Sequence, residues 1–430
     1  MSESSHSLRR TLCAGALIVV IAATLRLPYG DDIEYKLDER FTFELVQSAE
    51  TTGSLPMLGM PSSAGPANPG LSVWVFIGVA KLFPVDDPPA LARAVQILSV
   101  VGIFALILFI ATCVPKSERE AWWWATLLIA VNPMAVVFHR KIWPPSLFPI
   151  VIVMFLFAWW YRDRRWGAFL WGMVGVLIGQ IHMPGFFFFA AFGLWAFLFD
   201  RRNVRWTWFV PGVIIGLLPM IPWMIAWFDG TLGSVTKQPH WLYFFDASFW
   251  RRWVTQSIGF GISHAFTSDE WRNFLRYPLI AGMPTYFVAL AHLCMITCGL
   301  WILYRASRRL YTDRRSFREK YIADQSPTGF TLSAAIWGYG LFIAMTCMST
   351  QRHYLLVLFP LGVLALVRIV MANHANAVRW SRAILIVLCV SQALVSASFL
   401  RFVHDQPTMM GEYGVPYSRQ TSFVLISDSD

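Results

Sequence analysis

Residues 90–114 read ALARAVQILSVVGIFALILFIATCV, a stretch in which Arg93 is the only charged side chain. A helix needs roughly 20 apolar residues to cross a hydrocarbon core, so this run is long enough to span a membrane. It ends in Pro115-Lys116-Ser117-Glu118-Arg119-Glu120, and a second apolar run follows. The same alternation of apolar run and short basic punctuation continues in both directions. Spans are expected near 11–27, 90–114, 119–138, 144–161, 166–183, 184–200, 206–228, 277–304, 329–349, 354–371 and 381–401, about eleven in all. Residues 71–84 are apolar but short, lie between Pro69-Gly70 and Pro84, and read as a helix at the interface. The expected fold is all-α and integral to the membrane, with loop helices on the non-cytoplasmic side.

Composition agrees. Of 430 residues, 56% are hydrophobic and only 14% charged, where soluble domains carry about a quarter. Aromatics reach 16%, and the 21 Trp suit membrane interfaces, where an apolar ring meets a wet partner for its N–H. The net charge of +10 does not indicate nucleic acid, because the basic residues sit between spans. The six cysteines fall inside apolar runs and show neither metal spacing nor a disulfide framework. Arg9 and Arg10 before the run Leu12–Leu25, with no small-residue cleavage pattern, read as an uncleaved first helix.

Lys and Arg collect on cytoplasmic loops. With the N-terminus cytoplasmic, the alternate loops hold Lys116/Arg119, Arg162/Arg164/Arg165, Arg201/Arg202/Arg205, Arg305–Lys320 and Arg379/Arg382. The opposite set is loop 28–89, residues 139–143, residues 182–185, loop 229–276, residues 350–353 and the tail 402–430. Counting 71–84 as a span would place the arginine-rich loops outside. The polytopic domain is therefore expected over 1–401, in the inner (cytoplasmic) membrane, with the tail outside.

Loop 28–89 carries seven acids within 31–50: Asp31, Asp32, Glu34, Asp38, Glu39, Glu44 and Glu50. Leu37, Phe41 and Leu45 recur at helical spacing, so 38–49 can form an amphipathic helix with Asp38 at its start. Asp38 is then either an N-cap or a carboxylate that meets a substrate at the membrane surface. The Pro/Gly-rich stretch 58–70 is a spacer or a pocket wall, with Asn68 as a hydrogen-bond donor. At the outer helix ends stand His139-Arg140-Lys141, Gln180-Ile181-His182 and Gln351-Arg352-His353-Tyr354. These are snorkelling or structural side chains, or a phosphate site built from Arg forks and a Lys charge. Asp38, Glu39, His139, His182 and His353 also contain enough ligand types for a divalent metal, although their spacing does not demand one.

The ordered set resembles the GT-C membrane glycosyltransferases. It is most similar to the bacterial family 39 type, related to protein O-mannosyltransferases and to the aminoarabinose transferase of lipid A. The resemblance covers 10–370 in layout and rests on Leu37-Asp38-Glu39, the stretch 59–70, His139-Arg140-Lys141-Ile142-Trp143, Gln180–Gly185 and Arg352-His353-Tyr354-Leu355 leading to Pro360. It implies transfer of a sugar from a polyprenyl phosphate to a lipid, glycan or protein acceptor on the outer face. It also implies Asp38 as general base with Glu39 beside it, and Arg140, Lys141 and Arg352 near the donor phosphate; His139, His182, His353, Tyr354 and Asn68, from the outer helix ends and the Pro/Gly stretch, are expected around the pocket. The chain departs from the family at Trp143-Pro144-Pro145-Ser146, where many relatives carry an acid, and at His182, where many carry a Lys. A transporter or flippase for a lipid-linked envelope precursor is the alternative. It predicts mid-membrane charge and paired repeats, which the sequence lacks. A third reading is a non-catalytic partner in envelope assembly that uses loop 229–276 as its surface.

Overall fold

The computed structural model describes residues 2–62, 65–232, 244–312, 326–372, 378–406 and 408–420. The order is α1 (Ser2–Thr24), α2 (Leu37–Thr52), β1 (Leu58–Pro61), β2 (Ala67–Pro69), α3 (Leu71–Leu82), α4 (Pro88–Thr112), α5 (Arg119–Val131), α6 (Pro133–Phe138), α7 (Phe148–Trp160), α8 (Arg165–Ile181) and α9 (Pro184–Phe199). There follow α10 (Trp206–Leu217), α11 (Ile221–Phe228), α12 (Ser248–Ile258), α13 (Ser268–Leu275), the hairpin β3 (Leu279–Ile280) and β4 (Met283–Pro284), α14 (Phe287–Thr312), α15 (Pro327–Ser333), α16 (Gly340–Ala344), α17 (Leu361–Met371) and α18 (Val378–Asp405).

The chain is a multi-pass membrane protein. Among the described residues, four stretches are helices long and apolar enough to cross a membrane: Pro88–Thr112, Trp206–Phe228, Phe287–Arg308 and Arg379–Asp405. A fifth arises if Arg352–Leu358 and Leu361–Met371, bent by 76°, form one span. The other expected spans are shorter or broken, so the count of eleven is not established. The expected span 119–138 breaks at Asn132-Pro133, where proline removes a backbone donor. Asn132 caps the new start by accepting from Ala135 N at 3.1 Å. Arg26 covers the open end of α5 by donating to the carbonyls of Ala130 (2.8 Å) and Ile129 (3.2 Å). The expected span 277–304 starts later, because 279–284 form a hairpin.

Close packing of α8 and α10 depends on small residues, as in membrane bundles generally. A Cβ on Gly212 would run into the Phe169 carbonyl, and one on Gly172 into the Phe209 carbonyl. Trp122 and Trp159 are fully buried and give their indole N–H to Thr328 (2.9 Å) and Thr331 (2.8 Å).

The first loop has a core of its own. Phe43, Val46, Val73, Phe76, Leu91 and Val95 pack together, so α3 is wedged against α2 and α4. The helix expected over 38–49 is there. Glu39, Thr42, Phe43, Val46 and Ala49 point inward, whereas Leu37 is 80% exposed.

Candidate active site

One end of the bundle gathers the acidic first loop, the 139–143 and 182–185 turns, the described part of the second loop and the segment around 350. The first loop, the two turns and the segment around 350 enclose a cavity of about 660 Å³. Its walls bring together five of the residues singled out in the sequence: Asp38, Asn68, His182, His353 and Tyr354. Asp38 is the only acid among the described residues that line it.

Local chemistry explains the position of Asp38. Lys36 stands at the N-cap of α2, and its backbone N–H donates to Glu39 Oε2 at 3.1 Å. The capping role expected of Asp38 therefore falls to Glu39, three residues beyond the cap. Asp38 sits in the first turn, exposed to the cavity. Opposite it lies an aromatic wall. The rings of His182 and His353 are 5.3 Å apart, with Trp143 at 5.7 and 5.1 Å from them. Tyr354 stands 4.7 Å from His353. His182 Nε2 is buried without a hydrogen-bond partner among the described residues. Asn68 donates to the Met60 carbonyl at 2.7 Å, which locks the β1–β2 ribbon as a wall.

The other sequence candidates are placed differently. Lys141 is buried between Glu34 (3.0 Å) and Glu39 (3.1 Å), and Lys36 also pairs with Glu34 at 2.6 Å. These groups lie in loops outside the membrane-spanning segments. Burial opposes the charge on Lys141, but the two carboxylates outweigh it and hold the ammonium above its ordinary pKa. Burial and the neighbouring Glu34 raise Glu39 against the pull of Lys141. Burial also works against ionised Glu34, yet its two lysines win and its pKa is lowered. Arg140 is 3% exposed and donates to the carbonyls of Arg26 and, at 2.9 Å, Tyr29. His139 is 2% exposed and faces Arg26 Nη2 at 3.3 Å. Arg140 and Lys141, expected near the donor phosphate, and Glu39, expected beside Asp38, are thus buried and paired within the fold, as buried charges take the nearest partners. The candidate metal set does not converge either. Glu39 and His139 are committed elsewhere, and among the described residues no three His, Cys, Asp or Glu form a metal site.

Arg352, next in the chain to the cavity residue His353, is half-buried, and among the described residues its side chain makes a long 3.4 Å bond to the Gly261 carbonyl. Sequence reasoning missed Arg252 on α12. Its Nε is buried and unpartnered, and it lies one turn before Gln256, which donates to the Arg352 carbonyl at 3.3 Å. The signal was available, as Arg251-Arg252 interrupts an aromatic amphipathic stretch in an expected outer loop. Asp246 is not a free counter-ion, since it accepts from Ser248 and from Thr350 N at 2.8 Å.

The structure of ArnT from Cupriavidus metallidurans in the apo state matches 94% of this chain and 77% of its own, with a TM-score of 0.51 at 12% identity. The chain has the GT-C fold. ArnT from the same organism bound to undecaprenyl phosphate (TM-score 0.49, 11% identity, 97% of this chain and 85% of that one) also matches. So does the archaeal oligosaccharyltransferase AglB from Archaeoglobus fulgidus in complex with an inhibitory peptide and a dolichol-phosphate (0.44, 14%, 92% and 56%). No protein-family model matches the sequence, and no curated protein does. The cavity lies where the first loop meets the ends of α8 and α9 and the bent 352–371 segment.

Proposed function

We propose that the protein is a membrane glycosyltransferase that moves a sugar from a polyprenyl-phosphate donor to an acceptor hydroxyl on the outer face of the cytoplasmic membrane. The observation that carries this reading is the cavity. It has one carboxylate, Asp38, on one wall and an aromatic, histidine-bearing wall opposite. The shared fold supports it. Asp38 accepts the proton of the acceptor hydroxyl, whose oxygen attacks the anomeric carbon. The bond from that carbon to the phosphate oxygen breaks, and the phosphate leaves with the electron pair. Direct displacement inverts the anomeric centre. A phosphate leaving group needs positive charge more than a proton, and in this reading Arg352, next in the chain to the cavity residue His353, and Arg252 supply it. Trp143, His182, His353 and Tyr354 offer ring faces and edges to the sugar, while Glu39 and Lys141 hold the start of α2.

The bent segment 352–371 is the observation that favours a transporter, because discontinuous helices line transport paths. The polar groups, however, gather at one end of the bundle. The test uses purified protein, radiolabelled glucosyl-, mannosyl- and arabinosyl-undecaprenyl phosphate and an envelope extract. Transfer by wild type that is lost in Asp38→Asn supports the reading. Wild-type transfer by Asp38→Asn removes the base, and no transfer with any donor returns the transporter. A cysteine at residue 62 labels from outside the cell, and labelling only from the cytoplasm overturns the orientation.

A further inference from the structure

Besides Glu39, two of the seven first-loop acids, Asp32 and Glu34, are buried and absent from the cavity wall. What buries them is the segment after α18. Tyr417 N donates to the Ile33 carbonyl at 3.1 Å, and Ser418 N to that of Asp31 at 2.9 Å. Glu34 and Pro416 form an antiparallel bridge. Gln420 donates to the Tyr35 carbonyl at 2.7 Å, and Lys36 Nζ to that of Glu412. Asp32 is the centre of this arrangement. Its carboxylate meets Ser418 Oγ at 2.6 Å and His404 Nδ1 at 2.7 Å, and its carbonyl accepts from the Tyr413 hydroxyl at 2.6 Å. Residues 31–36 have neither helix nor sheet of their own, so their backbone acceptors depend on this segment.

The same segment is anchored on the second loop. Met410 N donates to Glu270 at 2.6 Å, and Tyr413 N to the Ala265 carbonyl at 3.2 Å. Gly411 lies so close that a Cβ would strike the Ala265 carbonyl and the Phe266 backbone. The segment thus bridges the loop that leads into Asp38 and the loop that carries Arg252. A short contact path continues inward from it: Glu34 holds Lys141, Lys141 holds Glu39, and Glu39 caps the helix that begins beside Asp38.

We infer that residues 408–420 are a positioning strap of the candidate active site, with Asp32 and Glu34 as the positioning residues that fix Asp38 relative to Arg252 and Arg352. The inference rests on the transferase reading for its kinetic consequence but not for its geometry. A displacement of about 1 Å at a reacting group costs on the order of 100-fold in rate.

The experiment uses the full chain in nanodiscs. Gly411→Val lifts the strap without touching either loop's functional residues, and Ser418→Ala removes one bond that Ser418→Thr restores. Spin labels at exposed positions 44 on α2 and 251 on α12 report the distance between the loops. Expected in Gly411→Val are a broadened distance distribution and a kcat lower by on the order of 100-fold at nearly unchanged donor KM, with the melting temperature of the bundle held. Ser418→Ala moves both readouts partway, and Ser418→Thr returns them. Lost kcat with an unchanged distribution overturns the inference, and so does a broadened distribution with wild-type kcat. If wild type transfers no sugar the transferase reading fails, and the distance distribution alone then decides whether the strap sets the spacing of the loops.

Discussion

Two polar clusters share one end of this bundle and differ in how their bonds are spent. In the knot of Glu34, Lys141 and Glu39, with Arg26, His139 and Arg140 behind it, buried charges meet each other or backbone carbonyls at close range. At the cavity, Asp38 is exposed and His182 Nε2 has no partner among the described residues; in the knot the Nε atoms of Arg26 and Arg140 also lack one, but their other guanidinium nitrogens are bonded. A buried group that is satisfied contributes to the fold. Unmade bonds around a cavity are available to a ligand. The division runs between two adjacent residues, Asp38 and Glu39.

The largest expected effect breaks the cavity side. Asp38→Asn lowers transfer by on the order of 10²–10⁴-fold with an unchanged melting temperature, measured by label transfer and thermal unfolding. The next breaks the knot. Lys141→Met leaves two buried carboxylates facing each other and costs roughly 3–5 kcal/mol of stability, read from the unfolding transition. Arg252→Gln sharpens the contrast between arginines. It raises donor KM by roughly 10- to 100-fold and leaves stability alone, whereas Arg140→Gln lowers stability.

A smaller effect is the acid limb of stability. Glu34 has a lowered pKa, so its stabilisation is present above its ordinary value of 4.5 and is lost as pH falls through the lower folded value. Glu39 is raised, so its protonated form is favoured by folding, and stability falls as pH rises from 4.5 through its folded value. Melting curves against pH for Glu34→Gln and Glu39→Gln should therefore diverge from wild type in opposite directions. The smallest effect is Asn68→Ala, about 1 kcal/mol for one hydrogen bond in the β1–β2 ribbon, read by the same unfolding measurement.

Much of the layout was legible in the sequence. Run length and basic punctuation gave a polytopic helical chain, and the clusters at 38, 68, 182 and 353–354 do meet at one cavity. Pairing was not legible. Nothing in His139-Arg140-Lys141 says that the arginine turns back to α1 and the lysine to Glu34. Those partners are more than 100 residues away, and only packing brings them together. Helix phase was also hidden. Leu37, Phe41 and Leu45 mark an apolar stripe, but nothing in it says that Glu39 with Lys141 and Phe43 against α3 also turn inward. The strap was beyond periodicity as well, because it uses irregular backbone on both sides.

The central claim is that Asp38 acts on a substrate while Glu39 acts on the fold. The most direct measurement compares Asp38→Asn and Glu39→Gln in the same preparation, with transfer rate normalised to folded protein and thermal unfolding recorded beside it. The expected result is a folded, inactive Asp38→Asn and a Glu39→Gln with altered stability whose folded fraction still transfers, its rate lowered only as far as the start of α2 shifts. A Glu39→Gln that is stable and inactive, with an active Asp38→Asn, contradicts the account.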